Sequence, residues 1–156
     1  MSYLKPADAA WLNMERPDNL MNINGLLFFK GCPERARLAD VLERRLCCFE
    51  RFRMRVVPQP VGIPRWELDS EFDIDRHLIY EDLPHPTREE VLKKAGQFMG
   101  EPMDRSHPLW EFRVFPGVED GAVIVVRLHH AIADGIALMR VLLAMCDLEP
   151  DGDCEI

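Results

Sequence analysis

The spacing of apolar residues changes several times along the chain, and each change marks an element. Between Pro33 and Phe52, Leu38, Val41, Leu42 and Leu46 recur at spacings of three and four with Arg and Glu between them. That period predicts a long amphipathic helix. Pro6 to Glu15 reads as a shorter helix with proline in its first turn, ended by Arg16-Pro17-Asp18. Thr87 caps a third helix running to about Met99, with Glu90 completing a capping box. A last apolar helix is predicted over Gly135 to Asp147. Extended segments are predicted at Ile23 to Phe29, Arg53 to Pro58, Arg65 to Leu68 and His77 to Glu81. Leu109 to Phe115 and Ala122 to His129 form two further β runs, and the turn-forming residues Pro116 to Gly121 between them predict a hairpin. The second run is too uniformly apolar for a sheet edge and is expected as a central strand. The alternation of elements predicts an α/β fold, a two-layer sandwich in which a mixed β-sheet carries helices packed on one face.

The 156 residues suit one domain, and 47% hydrophobic with 29% charged residues suits a folded core. We expect a globular lobe over residues 1–149 and an acidic tail over 150–156. A net charge of -8 without a dense basic run argues against nucleic acid as a partner. The arginines between Arg35 and Arg55 are interleaved with acids and read mostly as a solvated helix face. The five cysteines form an odd set without a CxxC pair, and no secretory leader is evident, so a reduced, cytoplasmic protein is expected. Cys47 and Cys48 on the long helix read as small buried apolar residues with no base placed beside them. No apolar window reaches the length of a membrane span, which leaves peripheral contact with a membrane or lipid droplet as the expected mode.

The candidate chemistry lies where the apolar strand runs through Arg127 and Leu128 into His129-His130-Ala131-Ile132-Ala133-Asp134-Gly135. Successive side chains on a strand diverge, so one histidine is expected to serve a site and the other the structure. A neutral imidazole, with an unperturbed pKa of about 6.5, can take a proton from an alcohol and return it to a leaving group. Asp134 stands at the start of the following helix, where a carboxylate is favoured, and Gly135 leaves room beside the site. Two other readings remain open from the residues alone, a pair of core histidines and a metal site. Against metal, adjacent strand histidines point apart, no cysteine lies near in sequence, and His77, His85 and His107 lack ligand spacing. Leu109 and Trp110 read as packing residues at a strand start or as part of a substrate channel.

The same residues carry a resemblance. His129 to Gly135 resembles the HHxxxDG motif of the CoA-dependent acyltransferase superfamily, which includes chloramphenicol acetyltransferase and peptide-synthetase condensation domains. Within it the chain is similar to the bacterial wax ester synthase/diacylglycerol acyltransferase family. Pro6 to Leu12, Phe52-Arg53-Met54-Arg55, Phe72 to Leu78 and Pro102 to Glu111, with its Pro108-Leu109-Trp110 segment, resemble further stretches of that family in the same order. The resemblance implies a chloramphenicol acetyltransferase-like lobe. It further implies His130 as general base, Asp134 as the residue that holds site geometry, His129 and Gly135 as supports, and Arg53 as the partner of Asp134, with Arg55, Arg113 and Arg127 as rivals. Pro108, Leu109 and Trp110 would line a substrate channel. The implied substrates are acyl-CoA as co-substrate and diacylglycerol or a long-chain alcohol as acceptor, with no cofactor or metal. Family members are longer, so the chain is expected to be the N-terminal lobe without its C-terminal one. It would then need such a lobe or self-association to complete a site. The alternative is a non-catalytic remnant or interaction module.

Overall fold

The computed structural model describes residues 2–132 and 135–147. The elements, in chain order, are β1 (Ser2–Tyr3), α1 (Pro6–Met14), β2 (Asn22–Phe29), α2 (Arg35–Val41), β3 (Met54–Val57), β4 (Arg65–Leu68), α3 (Ile74–His77), β5 (Leu78–Tyr80), α4 (Arg88–Met99), β6 (Trp110–Val118), β7 (Gly121–His129) and α5 (Gly135–Ala144). A four-stranded mixed sheet runs in the order β2-β7-β6-β5, and a small antiparallel sheet runs β1-β4-β3. β7 is central as its apolar run requires. It pairs antiparallel with β2, placing Asn22 opposite His129, and with β6, placing Trp110 opposite Leu128. β5 lies parallel to β6.

Every residue of β7 is buried, and because strand side chains alternate, both faces of the sheet need apolar cover. Ile124, Val126 and Leu128 join a core with Leu12 of α1, Leu42, Leu46 and α5 residues Leu138 and Val141. Val123 and Val125 join a second core with Val91, Ala95 and Phe98 of α4. The mixed sheet is as expected, but helices cover both faces rather than one. The Thr87 cap is present, its Oγ1 accepting from Glu90 N at 3.2 Å, but the capping box is not closed by Glu90, because Thr87 N donates to His85 O at 2.7 Å.

The predicted Pro33 to Phe52 helix is divided. α2 widens into a π-helical turn over Leu42–Leu46, where Cys47 N bonds to Leu42 O at 2.8 Å, and a 3₁₀ turn follows at Glu50–Arg53. The break lets Phe52 turn back under Trp110, whose Nε1 donates to Phe52 O at 2.7 Å. Arg45 is buried there against Asp147 at 2.7 Å, an exception to the solvated basic face. Cys47 is buried, but Cys48 is exposed, its thiol against Arg45 O.

The hairpin is tighter than Pro116 to Gly121 suggests. A bulge follows Pro116, β6 resumes to Val118, and Glu119 and Asp120 form a two-residue turn with φ of 51° and 61°. Gly121 is required by close approach, because a Cβ there would stand 1.9 Å from Phe29 O at the end of β2.

Candidate active site

β7 ends at His129, and the two histidines part as strand alternation demands. The His129 backbone N–H bonds to Leu109 O at 2.9 Å, and the ring is 1% exposed. Its Nδ1 accepts from Ala131 N at 3.0 Å. In the neutral ring this leaves the proton on Nε2, which lies 2.9 Å from Glu15 Oε2. That contact is close without the alignment of a hydrogen bond.

Burial holds the His129 imidazole below its ordinary pKa, reinforced by the positive charge of Arg105 and opposed by Glu15. Burial acts to raise Glu15, but its hydrogen bond from Arg105, the adjacent His129 and the backbone N–H of Met21 together hold it below the usual carboxylate range. Arg105 Nη2 reaches Glu15 Oε1 at 3.0 Å and Leu12 O at 3.1 Å. A neutral histidine facing an ionised carboxylate thus ties the strand end to α1 and to the loop before β6.

His130 follows in the turn, its backbone N–H bonded to Met21 O at 2.7 Å. The half-buried ring stacks on Trp11 of α1, with centroids 4.1 Å apart and planes inclined by 21°. Its Nδ1 is buried and has no hydrogen-bond partner among the described residues. A positioned imidazole with uncommitted hydrogen-bonding capacity can exchange a proton with a bound hydroxyl.

Asp134 lies outside the described residues, as does its expected pairing with Arg53, and so does the acidic tail over 150–156. Gly135 opens α5. Arg53 itself is exposed, its guanidinium 5.7 Å from the centre of the Phe72 ring. Of the rivals, Arg55 binds Glu67 at 3.0 Å, Arg113 reaches Glu81 and Glu111, and Arg127 is buried over the Phe98 ring with Nη1 on the Phe98 and Glu101 carbonyls.

Leu109 and Trp110 are core residues. Trp110 stacks on His77 at 4.4 Å, and its carbonyl accepts from His77 Nδ1 at 2.8 Å. Pro108 and Trp110 also border a polar cleft of about 330 Å³ with His77, His107 and Arg127. Cys47 is unsuited to nucleophilic work, since burial pushes its thiol up to about 12. Among the described residues no three His, Cys, Asp or Glu side chains converge as a metal site.

Trp11, Glu15 and Arg105 are the site residues that sequence reasoning did not assign. Trp11 and Arg105 lie in segments that carried the resemblance, but no spacing connects positions 11, 15 and 105 to the strand end.

A mixed sheet whose central strand delivers a His-His turn to a helix start defines a chloramphenicol acetyltransferase-like lobe. The starter condensation domain of rhizomide synthetase shares this fold, with a TM-score of 0.75 at 16% identity over 93% of this chain and 36% of that one. The wax ester synthase/diacylglycerol acyltransferase catalytic domain matches residues 4–154, and the chain belongs to that family. It is similar to the wax ester synthase/diacylglycerol acyltransferase from Marinobacter aquaeolei VT8, with a TM-score of 0.74 and 30% identity covering 89% of this chain and 37% of that one. A probable diacylglycerol O-acyltransferase of Mycobacterium tuberculosis is 34% identical over 154 residues, covering 94% of this chain and 33% of that protein. A second from the same organism is 31% identical over 166 residues, covering all of this chain and 36% of its own length. The chain spans about a third of the length of these relatives. Among the described residues no helix is long and apolar enough to cross a membrane.

Proposed function

We propose that the chain contributes the catalytic histidine of an O-acyltransferase that moves a fatty acyl group from acyl-CoA to diacylglycerol or a long-chain alcohol. The observation that carries this reading is the division of labour at the end of β7. The His129 ring is fully buried, with Nδ1 accepting from Ala131 N and Nε2 lying 2.9 Å from Glu15, whereas the His130 ring is only half-buried and is held flat on Trp11.

In this reading His130 takes the proton of the acceptor hydroxyl as its oxygen attacks the thioester carbonyl, forming the new C–O bond. The tetrahedral intermediate collapses with loss of the C–S bond, and the imidazolium returns the proton to sulfur, releasing CoA as its thiol. No acyl-enzyme is needed, so no Ser or Cys nucleophile is required. The roles proposed for Asp134 and Gly135 are to hold and support the geometry of the site, with Arg53 as the proposed partner of Asp134. The chemistry needs no metal or cofactor beyond the CoA co-substrate. We place the protein in the cytoplasm, with peripheral contact to a membrane or lipid droplet for its apolar acceptor.

A second reading is a lobe that keeps the fold for interaction without catalysis. Radiolabelled oleoyl-CoA with dioleoylglycerol or hexadecanol separates the two, using the chain alone and the chain joined to the remaining part of a relative. Product is expected from the joined form, with His130→Ala lowering turnover by about 10²–10⁴-fold and leaving the fold intact. Product that survives the substitution rejects His130 as base, and no product from either form supports the second reading.

A further inference from the structure

β2 carries an unusual gap. Gly25 stands opposite Val126 in the middle of an eight-residue strand, and a Cβ built there meets nothing within 4 Å. The missing side chain borders an apolar slot of about 140 Å³ between β2, β7 and α5, lined by Ile23, Gly25, Val126, Leu128, Leu138 and Leu142. An apolar cavity of roughly 150 Å³ stays dry and accepts a molecule the size of benzene. The slot is therefore large enough for about six carbons and offers water little to bind.

Its position ties it to the chemistry. Ile23 and Leu128 pair at the end of the slot nearer the turn, and Met21, two residues before Ile23, holds the His130 backbone. At about 3.3 Å per strand residue, the slot opens roughly 7 Å from His130. Leu128, Leu138 and the α1 residues beneath Trp11 belong to one core, which puts slot and imidazole on the same face of the sheet.

Resting on the acyl-transfer reading, we infer that this slot receives the hydrocarbon chain of the acyl donor and that Gly25 sets how much of it enters. A single unbranched chain fits its size. An acyl thioester brings one such chain with either acceptor, whereas diacylglycerol carries two close to its hydroxyl; a long-chain alcohol also brings one and is the competing occupant in the displacement test.

The test measures binding to the unaltered chain and needs no turnover. The naturally fluorescent eighteen-carbon cis-parinaric acid is titrated into wild type, Gly25→Leu, Leu142→Ala and His130→Ala, then displaced with palmitoyl-CoA, hexadecanol or dioleoylglycerol. Wild type and His130→Ala are expected to bind alike. Gly25→Leu, which fills the slot, is expected to weaken binding by at least about tenfold, because several methylenes lose their burial. It should not lower the melting temperature, since a strand glycine gains by acquiring a side chain in open space. Leu142→Ala, which widens the slot, should still bind the probe. Palmitoyl-CoA should displace it at lower concentration than hexadecanol or dioleoylglycerol. Unchanged binding by Gly25→Leu, or preferential displacement by hexadecanol or dioleoylglycerol, overturns the inference. Because His130→Ala retains the slot, a failure of the base assignment leaves this binding result standing.

Discussion

Glu15, just beyond the end of α1, meets His129, at the end of β7, across 2.9 Å, while Arg105 holds the other carboxylate oxygen at 3.0 Å. The contact crosses from helix to sheet, so the strand end that presents His130 is braced from outside the sheet. Glu15→Ala leaves the buried His129 Nε2 facing an apolar methyl and removes the carboxylate partner of Arg105, which keeps its bond to Leu12 O. Losing a buried polar partner costs about 1–3 kcal/mol, which should lower the melting temperature by several degrees in differential scanning calorimetry. Glu15→Gln should recover part of the loss, because its amide oxygen can still face the Nε2 proton.

Stability should fall with mild acid. His77 and His129 are both buried and held below the ordinary imidazole range by desolvation, so the unfolded chain binds their protons at higher pH than the folded one. Their neutral-state stability is complete above the unfolded value of about 6.5 and is lost as pH falls below it. Glu15, held low in the fold, adds a second loss only below its unfolded value of about 4.3. Melting temperatures should therefore be flat between pH 8 and 7 and decline toward pH 5, and His129→Gln should flatten that decline. A melting temperature that rises on acidification to pH 5.5 contradicts the assignment of both histidines as neutral.

Trp11 orients the His130 ring by stacking. Aromatic pairs of this kind contribute about 0.5–1.5 kcal/mol beyond the area they bury. If that energy serves to hold the base in line, Trp11→Ala in the joined enzyme should lower kcat by about two- to tenfold. Trp11→Phe should restore most of it. A change confined to KM would show that Trp11 contacts substrate rather than positioning His130.

Gly121 cannot take a side chain without moving backbone, since a Cβ would collide with Phe29 O. Gly121→Ala must push β2 away from β7 at the hairpin end, and overpacking of this kind typically costs about 1–3 kcal/mol. Thermal unfolding should show the loss. Gly25→Ala in the same pair of strands, where the space is open, should show none.

Much of this arrangement was legible in the residues because its causes are local. The run Ala122 to Val126 has no polar face, so it had to be a strand covered on both sides. Thr87 and Glu90 carry their cap within one turn, and His129 and His130 had to part because strand side chains alternate. The tertiary structure decided everything that depends on which distant residue meets which. It broke the Pro33 to Phe52 period at Leu42 so that Phe52 could reach Trp110, and it brought Trp11, Glu15 and Arg105 from separate segments to the two histidines. It also chose which helices cover each face of β7. Hydrophobic period reports that a residue is buried, since burial depends on the residue and its near neighbours. It does not report the partner, because contacts between segments far apart in sequence are selected by the packing of the whole core.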